Sequence, residues 1–183
     1  LHLASMVNWG KSYFDTLVDE VYADLRVQQI RSREFPDKLM VDVIDEHVVQ
    51  AIAIIEHADL SLMQSQPLRT TEAFFVTLAG NDVDTYAYSR SSAGALGLVQ
   101  FIPSTYKFLV EKRPELNLIK DFETGMRTPK NAIKAQIGYL DLLITEIPEI
   151  TAETFANNRA QVNEYLVASY NGGSGKVRRA IST

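Results

Sequence analysis

Apolar residues recur three and four positions apart along almost the whole chain, and that spacing leaves little choice of fold. Phe14, Leu17, Val18, Val21, Tyr22 and Leu25 form one such stripe. Leu39, Met40, Val43, Ile44, Val48, Ile52 and Ile55 share one side of a second, and Phe74, Phe75 and Leu78 belong to a third. The strongest is Ile133, Ile137, Leu140, Ile144 and Ile147. No run alternates apolar and polar residues over strand length between turn signals, so the chain is read as all-α.

Caps and breakers divide the stripes. The first fades near Glu34 to Pro36, and Pro36-Asp37 opens the second, which Pro67 closes. Thr70 or Thr71 can cap the third helix, and Gly80-Asn81 is a plausible stop for it. Ser104 caps a helix after Pro103, and Thr128-Pro129 starts the strongest helix with proline at its first position. Residues 113–126 read as a longer connection. The last major helix, around Val162 to Tyr170, ends at Gly172-Gly173, and Ser174 caps a short basic tail.

At 183 residues, one compact unit can bury roughly two-thirds of its unfolded surface. With 46% hydrophobic and 22% charged residues, the composition is that of an ordinary globular chain. No apolar stretch is long enough to span a bilayer. A formal charge of -5 argues against a non-specific nucleic-acid binder, which wants a basic surface. The absence of cysteine excludes disulfides, thiolate metal sites and cysteine nucleophiles. His47 and His57 sit among acidic residues. On one helix, however, they stand about 15 Å apart and about 80° around the axis, too far to share an ion. Lys176, Arg178 and Arg179 form a basic cluster, read either as favourable charge near a helix end or as contacts for acidic groups.

Two segments carry chemistry. The first runs Ser91-x-x-Gly94-Ala95-x-Gly97-Leu98-x-Gln100-x-x-Pro103, and the second runs Ala168-x-Tyr170-Asn171-x-Gly173. Glycines in a helical context cost about 1 kcal/mol each relative to alanine. They serve either close helix packing or a polymer lying against bare backbone. Gln100 adds an amide that donates and accepts towards sugar groups. Tyr170 is either a core aromatic or a cleft hydroxyl, and Asn171 is either a helix terminator or a cleft amide.

In this order the segments resemble the catalytic domain of soluble lytic transglycosylases, which cut the glycan strands of peptidoglycan. Pro129, Ile133, Tyr139 and Leu140 match a further helix of that family, from which Ala132 and Gln136 depart. The resemblance implies a lysozyme-like helical domain over residues 70–183, with an N-terminal helical region, residues 1–69, packed on it. It places the acid/base at Asp82, nine positions before Ser91, where the family carries glutamate. Asp84 is the stand-in, because Glu72 lies about 15 Å back along a helix. Ser91, Gln100, Ile102, Tyr170 and Asn171 are expected to line the cleft.

The resemblance implies that a single carboxyl protonates the bond between N-acetylmuramic acid and N-acetylglucosamine and accepts the proton of the sugar's 6-hydroxyl. The product is a 1,6-anhydro end. Such an acid starts protonated, which requires an apolar wall and few ionic partners. Because Asp82 is shorter than glutamate, the alternative is an inactive peptidoglycan-binding or scaffolding module. The resemblance points to the bacterial cell envelope and its periplasm; residues 1–6 themselves lack the charged start and apolar core of a leader. No cofactor is expected, so glycan cleavage measured with and without a chelator should proceed at the same rate.

Overall fold

The computed structural model describes residues 2–81 and 85–182, and among them the regular structure is helical, with isolated bridges only. In chain order the helices are α1 (His2–Val27), α2 (Met40–Val43), α3 (Glu46–Glu56), α4 (Leu60–Ser65), α5 (Pro67–Asn81) and α6 (Pro103–Lys112). Then follow α7 (Phe122–Arg127), α8 (Pro129–Thr145), α9 (Ala152–Asn157), α10 (Arg159–Gly172) and α11 (Ser174–Ile181).

The stripe from Leu39 to Ile55 is two helices rather than one. Asp45 interrupts it by turning its carboxylate onto the backbone N–H of His47 and capping α3. The carbonyls left open at the end of α2 are taken from outside. Tyr22 Oη donates to Ile44 O at 3.0 Å, and Arg159 Nη2 donates to Val43 O at 2.8 Å. Pro67 likewise begins a helix, α5, instead of only ending one. Asp59 caps the short α4 before it, and Asp121 caps α7 inside the stretch read as a connection.

The glycine run is not helical. Gly94 and Gly97 both adopt φ of +81°, and residues 90–101 fold back through bridges between Arg90, Leu96 and Phe101. A Cβ on Gly97 would stand 2.4 Å from Met126 O, so this glycine serves a turn and a close backbone approach. Its missing side chain faces the core rather than a polymer.

One core runs from Phe14 to Leu166 without a break at residue 69. The first helix lies along α5 and α8. Its contact with α5 is so close that a Cβ on Gly10 would fall 1.9 Å from Phe75 O. At the centre is α8, whose residues from Asn131 to Ile144 are nearly all buried. Even its Asp141 is fully buried, paired with the equally buried Arg113 from the end of α6. Arg33 N also donates to Asp141, at 2.9 Å, and Arg113 Nη2 donates to Arg31 O at 3.1 Å. Removing one partner of a buried ion pair strands the other charge. Arg113→Met should therefore cost about 3–5 kcal/mol in urea unfolding, and adding Asp141→Leu should recover much of the loss.

Candidate active site

The third helix drives an apolar run, Ala51 to Ile55, into the molecule and ends on Glu56. That carboxyl is half-buried at the wall of a cavity of about 310 Å³. Glu56 makes no ion pair among the described residues, and burial alone raises its pKa from the ordinary 4.5 to about 7. The cavity thus presents a carboxylic acid that keeps its proton close to neutral pH.

Around it stand Gln100, Phe101, Ile102, Thr105, Tyr139, Tyr170 and Asn171. Three rings form one wall, with Phe101, Tyr139 and Tyr170 meeting edge to face at 5.4–5.9 Å between centroids. Tyr170 comes from α10, and its hydroxyl donates to Val99 O at 2.7 Å. Burial, and then the nearby Glu56, keep that phenol protonated.

The other face of the same segment is held from α3. The His57 ring stacks on Tyr86 at 3.9 Å, and its Nε2–H donates to Leu98 O at 3.0 Å. Burial lowers the His57 pKa and leaves the ring neutral beside the acid. Two consecutive carbonyls, of Leu98 and Val99, are therefore clamped by side chains from two different helices. The next residue, Gln100, sits at φ +49°, and its amide nitrogen donates to Gly97 O at 2.8 Å and Ser89 O at 3.1 Å. The donors expected to face a sugar are spent on the loop, leaving the amide oxygen as the polar group for a ligand.

The structure brings Gln100, Ile102, Tyr170 and Asn171 together in one cavity. Asn171 is exposed, with Nδ2 donating to Val167 O at 3.1 Å. Ser91 does not line the cavity. Its Oγ accepts from Ala95 N at 3.1 Å and its N–H donates to Ala95 O, so it closes the glycine turn. Asp82 and Asp84, the expected acid and its stand-in, lie outside the described residues. Glu56 also lines the cavity, and the sequence reading did not single it out. The signal was there, in a carboxylate ending the chain's most apolar helix. But Glu56 stands thirty-five positions before Ser91 where Asp82 stands nine, and its neighbours His57 and Asp59 suggested a solvated face.

The profile of the transglycosylase SLT domain matches residues 62–183. The chain belongs to that family, whose domain is a lysozyme-like helical one of the lytic transglycosylase kind. The match begins within α4, so Glu56 and the helices before it precede the matched residues. No curated protein and no solved structure matches the chain.

The raised pKa of Glu56 has a thermodynamic consequence. The folded chain holds a proton between pH 4.5 and about 7 that the unfolded chain has released. Stability from this group is complete below pH 4.5 and is lost as pH rises through about 7. Glu56→Gln should accordingly raise the Tm relative to the parent at pH above about 8, with a smaller gain near pH 5.

Proposed function

We propose that this chain is a peptidoglycan lytic transglycosylase and that Glu56 is its acid/base. The observation that carries the reading is a carboxyl, the one carboxyl among the described lining residues, with a pKa raised to about 7 and facing the cavity built from the Gln100 and Tyr170-Asn171 motifs. Glycosidases that hydrolyse their substrate use two carboxyl groups flanking the bond. Among the described residues that line the cavity, Glu56 is the one carboxylate. That supports chemistry in which one group works twice.

Protonated Glu56 gives its proton to the oxygen leaving the anomeric carbon of N-acetylmuramic acid. The carboxylate so formed takes the proton of that sugar's 6-hydroxyl, whose oxygen attacks the anomeric carbon. The glycosidic bond breaks, a 1,6-anhydro ring forms, no water is consumed, and Glu56 is protonated again. The aromatic wall supports the first half-step, because an apolar surround disfavours the ionised acid. The Tyr170 hydroxyl, next to Glu56 but committed to Val99 O, fixes the loop that shapes the cavity. Such a substrate places the protein in the bacterial cell envelope, on its periplasmic side.

The acid must be protonated to start, so kcat/KM should be high below pH 7 and fall as pH rises through about 7. Glu56→Gln should lower release of anhydro ends from purified sacculi by about 10²–10⁴-fold, the usual worth of a general acid. Asp82→Ala and Asp84→Ala are the controls. If either abolishes the product while Glu56→Gln retains it, the acid is the aspartate and Glu56 is not. If the parent binds sacculi but no variant and no parent releases an anhydro end, the chain is a binding module.

A further inference from the structure

We propose that Gln136 is a positioning residue for the reaction at Glu56: its amide, bonded to the backbone of α3, sets where that helix stands against α8 and so where Glu56 stands in the cavity. This rests on the reading of Glu56 as the acid/base. The starting point is a polar group that is out of place for stability. Gln136 is fully buried in α8, between Ala135 and Ile137, which are buried as completely. Its Nε2 donates to Val49 O at 3.1 Å, while its Oε1 is buried without a hydrogen-bond partner among the described residues.

The backbone does not need this bond. Val49 lies inside α3, where its carbonyl receives the N–H of Ala53 by the helix's own i to i−4 pattern. The unpaired Oε1 costs stability, since an apolar side chain of similar size would leave no buried acceptor orphaned. What the amide supplies is direction. Val49, Ile52 and Ala53 of α3 are buried apolar groups. Apolar contact is non-directional, so it lets one helix slide or turn on another. A bond from a buried side chain of α8 to one carbonyl of α3 removes that freedom.

The place of the bond in both helices points to the acid. Val49 and Glu56 are two turns apart on α3, which puts them within about 20° of one face and about 10 Å apart along the axis. Gln136 and Tyr139 are one turn apart on α8. Following either helix from the bond towards its C-terminus therefore leads to a residue that lines the cavity. The other polar ties of α3 go elsewhere. Gln50 reaches Asp15 of α1 at 3.0 Å, Asp45 accepts from Asn163 of α10 at 3.1 Å, and His57 reaches Leu98 O. Among the described residues, Gln136 is the polar side chain that ties α3 to α8. It does not line the cavity itself, so it acts through the helix it holds.

The test compares the parent with Gln136→Met and Gln136→Leu, which keep most of the volume and lose the amide. It reads kcat and KM for release of anhydro ends from sacculi, the NMR titration of the Glu56 carboxyl, and urea unfolding. His57, Tyr139 and Tyr170 near Glu56 are neutral around pH 7, so the titration reports burial. In both variants kcat should fall about ten- to a hundredfold, the scale of a misplacement of about 1 Å, with KM within about twofold. The Glu56 midpoint should fall by about one pH unit, because a helix free to shift lets its last residue back towards water. The urea midpoint should equal or exceed the parent's, since the orphaned carbonyl is gone. Unchanged kcat and unchanged titration overturn the proposal. So does a loss of kcat that comes with a lower urea midpoint and an unmoved titration, and so does failure of both variants to fold, because each marks a merely structural role. If the parent releases no anhydro ends, the titration alone decides: a lowered midpoint in both variants keeps Gln136 as the residue that places Glu56, and the catalytic reading falls.

Discussion

Three buried polar side chains on α8 hold the rest of the molecule in place. Asn131, Gln136 and Asp141 are five residues apart, and each step of five turns about 140° around a helix. They therefore leave α8 in three different directions and reach three different parts of the chain. Asn131 accepts from Ile119 N and donates to Gly125 O and Tyr106 Oη, fixing the segment before α7. Gln136 donates to Val49 O at 3.1 Å, in the middle of α3. Asp141 takes Arg113 and the backbone of Arg33. Apolar packing is non-directional, so these bonds supply the orientation that the surrounding leucines and isoleucines do not.

The middle bond bears most directly on the cleft. Gln136 stands where the family resemblance puts glycine, and it reaches α3 two turns before Glu56. Its bond gives α3 a fixed partner on α8, the same helix that supplies Tyr139 to the cavity wall. Glu56 and Tyr139, which line the same cavity, are thereby tied to one support. The clamps on Leu98 and Val99 do the same for the loop, since His57 belongs to the end of α3 and Tyr170 to α10. With its polar neighbours bonded to backbone, Glu56 has no ionic partner among the described residues to lower its pKa, and burial decides its protonation.

Much of this was legible in residue order. Stripes at helical spacing marked α1, α3, α5, α8 and α10, because burying one face of a helix requires that period. Pro129 and Gly173 marked their ends for local steric reasons. Four residues that line one cavity, Gln100, Ile102, Tyr170 and Asn171, were visible as short motifs. The short helices α4, α7 and α9 were not, since each depends on a single cap from Asp59, Asp121 or Thr151 rather than on a stripe. Ser91 looked like a cleft residue because it belongs to the motif, but its hydroxyl holds the turn that presents the others.

By itself the sequence determined the helical class, the helix ends and the types of side chain available, because these follow from local spacing and backbone sterics. That Glu56 lines the cavity is visible only in three dimensions. Counting positions follows only the path of the chain, and between Glu56 and Ser91 that path forms α4 and α5. Distance along the chain then says nothing about distance in space. Only packing α3 against α8 and α10 brings Glu56 beside Gln100 and Tyr170. Only the burial that follows turns an ordinary surface-type glutamate into an acid poised near pH 7.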